Sequence, residues 1–127
     1  MSNLQKIILS TGFVLFASQI VFAHAHLIES QPKKDEIVHQ MPTEVRVKFS
    51  EDLEFAMSKI EVQNAVTHVV VSQAAKPDET SKDTLVVLLK PLNAEKTNYQ
   101  VSWKAVTKDS HIAKGKYNFS FDPGEKK

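Results

Sequence analysis

The chain contains no cysteine. In an oxidising compartment this excludes disulfide stapling, and anywhere it excludes thiolate metal sites. A metal ion would need nitrogen or oxygen donors, or methionine sulfur. Methionine is scarce as well: beyond Met1 only Met41 and Met57 occur, far apart in sequence. Sulfur donors of any kind are therefore few. No basic run is present, and the formal charge of the 127 residues is only +1, from 16 basic and 15 acidic side chains. Such a balance argues against nucleic acid as a partner and against electrostatic docking on a membrane. There is no internal repeat, low-complexity tract or second-domain linker. Nor does a nucleophile-elbow motif accompany Ser110, which in an extended segment would point away from Asp109 and His111, so a hydrolase is set aside.

A long uninterrupted apolar run is also missing. Ile7 to Phe22 is mostly apolar but is broken by Ser10, Thr11, Gly12, Ser18 and Gln19. With Lys6 before it and small residues after it, the stretch reads as a secretory signal peptide over Met1–Ala23. An uncleaved anchor is the alternative, disfavoured because the stretch is too short and too interrupted for a comfortable span. Val21-Phe22-Ala23 and Ala23-His24-Ala25 both offer small or β-branched residues at −3 and −1, so the cut falls after Ala23 or after Ala25. The first exposes His24 and the second His26. Removing 23 of the 127 residues leaves 104, enough for one domain with one core, His24–Lys127. Lys6 departs with the leader, so the mature chain carries 15 residues of each sign.

The mature segment alternates. Val45, Val47 and Phe49 share one face of Glu44–Ser50, and Glu44, Arg46 and Lys48 the other. Similar patterns run through Lys59–Gln63, Asn98–Val106 and Gly115–Phe121, with Trp103, Tyr117, Phe119 and Phe121 as core aromatics. His26–Ser30, the β-branched run His68–Val71 and the apolar run Thr84–Leu89 bring the expected strands to seven. Lys76–Asp83 is a polar loop, and Glu51–Met57 has room for one helical turn, with Met57 packed in the core beside Phe55. Seven short strands with polar turns and little helix predict an all-β fold, an antiparallel sandwich or barrel.

Two features carry chemistry. A terminal histidine provides two donors, its free α-amine and its ring Nδ1, which close a six-membered chelate on one ion. Processing would therefore create a ligand that the precursor lacks. The second feature is Lys108-Asp109-Ser110-His111, between two strong strands, where functional residues tend to sit. In extended chain Asp109 and His111 point to one side. Imidazole plus carboxylate suits zinc, copper, iron or nickel. His39 and His68, with no donor nearby in sequence, read as a loop residue and a strand residue.

His24-Ala25-His26-Leu27, Ser30-x-Pro32, Pro42-Thr43-Glu44-Val45, Phe49-Ser50-Glu51 and Asp83-Thr84-Leu85-Val86-Val87 occur in that order. They are followed by Tyr99-x-Val101-x-Trp103-x-Ala105-Val106, Asp109-x-His111 and Gly115-x-Tyr117-x-Phe119. Together they resemble the CopC family of periplasmic copper-binding proteins, over essentially the whole mature chain. The resemblance implies a seven-stranded, immunoglobulin-like Greek-key barrel or sandwich. It implies Cu(II) binding in copper resistance or uptake, beside a CopD-type inner-membrane partner. It assigns His24, Asp109 and His111 as metal ligands, with His26 auxiliary and Glu51 behind them. One amine, two imidazoles and one carboxylate would then form an N₃O set that suits tetragonal Cu(II). The Met-rich loop with which some members bind Cu(I) is missing here, which speaks against a dedicated Cu(I) site. The protein is expected to be a monomeric, non-enzymatic carrier or buffer.

Two other classes compete. A terminal-histidine copper brace also serves oxidative enzymes, which would reveal themselves by copper-dependent peroxide formation or substrate oxidation with a reductant. An exported β-sandwich that binds no metal would show one thermal midpoint with and without copper, because a ligand that prefers the native state must stabilise it. His24-Ala25-His26 could alternatively chelate Cu(II) through backbone amides, a mode that requires the terminus to leave strand pairing. Intact-mass measurement on the exported protein checks the leader. The expected product begins at His24, and a product retaining Met1–Ala23 would remove the terminal ligand.

Overall fold

The structure is a computed structural model that describes residues 25–77 and 80–124. The expected leader and His24 lie outside the described residues. Eight strands occur among those described: β1 (Leu27–Gln31), β2 (Ile37–Val38), β3 (Glu44–Phe49), β4 (Lys59–Asn64), β5 (Lys76–Pro77), β6 (Thr84–Leu88), β7 (Thr97–Val106) and β8 (Ile112–Phe121). They form two four-stranded sheets, ordered β1-β3-β6-β5 and β2-β8-β7-β4. Every pairing is antiparallel except β2 with β8.

The alternation read from the sequence decides what lies between the sheets. From β3, Val45, Val47 and Phe49 are buried, and opposite them sit Ile60 and Val62 of β4, Tyr99, Val101 and Ala105 of β7, and Tyr117, Phe119 and Phe121 of β8. A strand's side-chain period of two sends the intervening polar residues outward. Leu85 and Val87 of β6 join the same core, whereas Val86, on the other side of that strand, is also buried. The aromatics lock the two layers together. Tyr99 stacks on Phe119 at 5.4 Å between ring centres, and Trp103 lies 6.0 Å from both Phe49, in the opposite sheet, and Tyr117. Trp103 pairs with Gly115 across the β7–β8 ladder. Its ring occupies the space a side chain at 115 would need: a Cβ there would fall 2.3 Å from the indole.

Two segments cross between the sheets. Leu53 N–H donates to Lys82 O at 2.8 Å, just ahead of β6, while the next residue, Glu54, donates to Val106 O at 2.7 Å, at the end of β7. At the second crossing Val71 N–H reaches Val62 O of β4 at 2.9 Å, and Gln73 N–H reaches Leu88 O of β6 at 2.8 Å. Between them the buried Ser72 hydroxyl accepts the Val62 N–H at 2.9 Å. These crossings are too short to close a continuous ladder, so the architecture is a sandwich with stitched edges.

The second crossing replaces the strand expected at His68–Val71. Asn64 Oδ1 accepts the N–H groups of Val66 and Thr67 at 2.9 and 3.1 Å, and His68 adopts φ 60°. Asparagine favours such side-chain-capped turns, so the chain reverses there and only Val70 and Ser72 form isolated bridges. Two other expectations are corrected. Lys76–Pro77, read as loop, pairs with Val86 and Leu85 of β6. Met57, read as core, is 56% exposed, because the 3₁₀ turn Phe55–Met57 turns Phe55 toward the core and leaves Met57 outside.

The Trp103–Gly115 packing is testable. Gly115→Ala forces the stiff indole from its place between Phe49 and Tyr117, and overpacking of this kind costs about 1–3 kcal/mol. Urea unfolding followed by fluorescence of the sole tryptophan should show the lower midpoint and an altered native spectrum. A wild-type midpoint would contradict the contact.

Candidate metal centre

Asp109 and His111 sit in the loop that joins β7 to β8. The last rung of that ladder is Val106 opposite Ile112, which leaves five residues, 107–111, to turn the chain. The loop closes on itself: Thr107 N–H donates to His111 O at 2.9 Å and Ser110 N–H donates to Thr107 O at 3.0 Å. Ser110 takes φ 70°, in the left-handed region that hairpin loops of this size use to match the twist of their strands. The segment is therefore a turn and not an extended strand. Its two donors converge because the turn folds them together.

Thr107 supplies the rest. Its side chain lies inside the sandwich, 2% exposed, on a residue that bridges to Leu53. The hydroxyl donates to Asp109 Oδ1 and accepts the His111 N–H at 3.1 Å. Asp109 Oδ2 then lies 3.0 Å from His111 Nδ1. Both side chains reach solvent in part, Asp109 at 62% and His111 at 39%, while the His111 Nδ1 atom that faces Asp109 is itself shielded. The Thr107 hydroxyl is the main cause holding the Asp109 carboxyl below the usual aspartate range; slight burial opposes it, and the neighbouring His111 adds to the lowering. At neutral pH Asp109 is thus a carboxylate, ready to accept a cation.

The same pole collects two more of the predicted residues, His26 and Glu51. His26 N–H donates to Ser50 Oγ at 2.9 Å, and Ser50 N–H returns to His26 O at 2.8 Å. Half-buried Glu51 follows Ser50, and Asp52 O accepts the Lys108 N–H at 3.3 Å. Segment 50–54 therefore links the start of β1 to the β7–β8 loop. A further tie is the ion pair of Lys108 Nζ with Glu54 Oε1 at 2.9 Å. Of the predicted ligands, Asp109 and His111 are in contact, His26 and Glu51 share their pole, and His24 lies outside the described residues. Among the described residues no three donors group around one point.

His39 and His68 are elsewhere. His39 Nδ1 lies 2.7 Å from Asp122 O, near the end of β8, and His68 occupies the Asn64 turn at the opposite pole. Neither Thr107 nor the pairing of Lys108 was singled out from the sequence. Thr107 had a signal: it is the next inward position after Val101, Trp103 and Ala105, a polar residue placed where the alternation demands burial. The Lys108–Glu54 pair, 54 positions apart, had none.

A family model described as the CopC domain matches residues 27–122. The chain belongs to the CopC family. Copper resistance protein C of Escherichia coli is 32% identical over 127 aligned residues, covering 94% of this chain and 98% of that protein. Copper transport protein CutJ of Bacillus subtilis is 29% identical over 108 residues, 85% of this chain but 20% of its own length, so the chain corresponds to one part of that larger protein. Among solved structures, CopC from Methylosinus trichosporium OB3b superimposes with a TM-score of 0.71 at 30% identity, covering 81% of this chain and 98% of that one. PcoC from Escherichia coli, a methionine-rich copper resistance protein, gives a TM-score of 0.67 at 26% identity, covering 79% and 100%. The CopC match spans every strand of both sheets and the whole β7–β8 loop. It also bears out the all-β sandwich expected from the sequence. Unlike the methionine-rich PcoC, this member has only Met41 and Met57 outside Met1.

Carbon NMR of the Asp109 carboxyl in metal-free protein checks the loop's electrostatics. Its midpoint should fall below the ordinary aspartate value of about 3.9. His111→Ala should raise it only part of the way, because the Thr107 hydroxyl is the larger cause. The sign for stability follows. A depressed carboxyl stabilises the fold above the unfolded-state pKa, and that contribution fades as pH falls through the lower folded value. A midpoint at or above the ordinary value would contradict the loop geometry.

Proposed function

We propose that this protein is an exported copper carrier or buffer that holds Cu(II) at the β7–β8 pole, in copper resistance or uptake. The observation that carries the reading is the Asp109–His111 contact, a partly exposed imidazole and an exposed carboxylate fixed 3.0 Å apart on a CopC fold. Their chemistry fits the ion. Imidazole suits copper, an ionised carboxylate adds charge, and the chain has no thiolate to favour Cu(I).

His24 completes the set in this proposal. Cleavage after Ala23 frees its α-amine, which with the ring Nδ1 adds two nitrogens from one residue and limits the entropy lost on binding. His26 would serve as an auxiliary group, since its backbone is tied to Ser50 at the same pole. Glu51 would stand behind the ligands. The periplasm is the compartment, a cleaved leader the route, and the monomer the working form. A CopD-type inner-membrane protein is the partner class for delivery or receipt.

The α-amine has a reference pKa near 8 and imidazole about 6.5, so protons compete with the metal at both. Cu(II) affinity should fall as pH drops through that range. The deciding experiment titrates the exported protein with Cu(II) against a competing chelator while its spin-resonance spectrum is recorded. One equivalent with nitrogen hyperfine coupling is expected. Asp109→Ala and His111→Ala should each weaken binding by more than about 100-fold, beyond the usual cost of losing a residue that only supports a ligand. Variants that bind as tightly as wild type, with the same spectrum, would remove Asp109 and His111 from the site and leave the amide mode of His24-Ala25-His26. Reductant-driven peroxide formation by the loaded protein would move the reading to an oxidative enzyme.

A further inference from the structure

We infer that Thr107 is a positioning residue for copper, a single buried hydroxyl that sets the geometry of both Asp109 and His111. The inference rests on the copper reading above and deepens it. The observations concern one oxygen atom. A threonine hydroxyl has one proton and two lone pairs. The proton goes to Asp109 Oδ1, and a lone pair receives the His111 N–H at 3.1 Å. The side chain of one candidate ligand and the backbone of the other are thus tied to the same atom.

That atom is itself held still. Thr107 is 2% exposed, whereas the Asp109 side chain is exposed and that of His111 partly so. Its N–H is bonded to His111 O at 2.9 Å, its carbonyl accepts Ser110 N–H at 3.0 Å, and it bridges to Leu53 of the segment that crosses between the sheets. A β-branched side chain has few χ1 choices, and burial leaves fewer. The consequence is directional. With Oδ1 engaged by Thr107, the Asp109 oxygen on the His111 side is Oδ2, at 3.0 Å from Nδ1. Copper would therefore meet a carboxylate that presents one oxygen, beside an imidazole whose backbone cannot drift. Exposed side chains without such an anchor would lose rotamer freedom on binding, a cost that this hydroxyl removes in advance.

The test compares Cu(II) affinity, by chelator competition, and the spin-resonance spectrum across wild type, T107V, T107S, D109A and H111A. Valine keeps the shape and removes the hydroxyl; serine keeps the hydroxyl and removes the methyl. T107V is expected to weaken Cu(II) binding by about 10–100-fold, as loss of an outer support does, and to shift the parallel hyperfine coupling of the copper that binds. T107S is expected to restore both. A purely structural role would lower the unfolding midpoint of T107V and leave the spectrum of bound copper unchanged. Wild-type affinity and spectrum in T107V, alongside loss in D109A and H111A, would overturn the positioning role and leave the copper site standing. Intact binding in D109A and H111A would overturn the copper reading and the positioning role with it. Should T107V fail to fold, T107A takes its place under the same outcomes, since it removes the hydroxyl with less apolar bulk.

Discussion

The ten-rung antiparallel ladder between β7 and β8 is the constraint on which the rest depends. It runs from Thr97 opposite Phe121 to Val106 opposite Ile112. Its inner face carries Tyr99, Val101, Ala105, Tyr117, Phe119 and Phe121, the largest contribution of any strand pair to the core. Side-chain period makes this an all-or-nothing arrangement: a one-residue slip of either strand would turn all of its inward groups to solvent. The pairing of Trp103 with Gly115 helps to fix the register, because the indole lies where any other residue at 115 would place its Cβ. Sheet β1-β3-β6-β5 then closes over this face through Phe49, Val45 and Val47.

The ladder also determines where chemistry can occur. A ladder that ends at Val106 and Ile112 leaves a loop of five residues, and such a loop must curl. Curling brings Asp109 and His111 together, and the inward alternation of β7, carried one step further, buries Thr107 beneath them. The Leu53 crossing and the Lys108–Glu54 pair tie this loop to the opposite sheet. Half-exposed ion pairs of this kind add little stability; their effect here is on the placement of the loop. One pole of the sandwich is thus assembled from β1, segment 50–54 and the β7–β8 loop, three parts that lie far apart in the chain.

Long strands were legible in the sequence because each buries one face. Glu44–Phe49, Lys59–Asn64, Thr97–Val106 and Ile112–Phe121 all show period-two burial, and their inward residues could be named in advance. The short elements were not legible. Ile37–Val38 and Lys76–Pro77 have two residues each, too few for a period, and exist because a neighbouring edge offers unpaired backbone groups. His68–Val71 has the composition of a strand, yet Asn64 caps a turn there and Ser72 carries the chain across to the other sheet. Local preference gave way to where the two sheets required the chain to go.

By itself the sequence determined the class of fold, the inward faces of the long strands and the donor chemistry open to the protein. Those follow from composition and spacing: no thiol, little thioether, a carboxylate and an imidazole two residues apart. Tertiary structure alone decided how the donors meet. Asp109 and His111 converge through a left-handed turn at Ser110 and a hydroxyl seated in the core, not through strand alternation. His26 reaches their pole because β1 pairs with β3 and segment 50–54 crosses between sheets. Contacts between residues dozens of positions apart depend on register and on the closure of two layers, and neither is written in any local stretch of the chain.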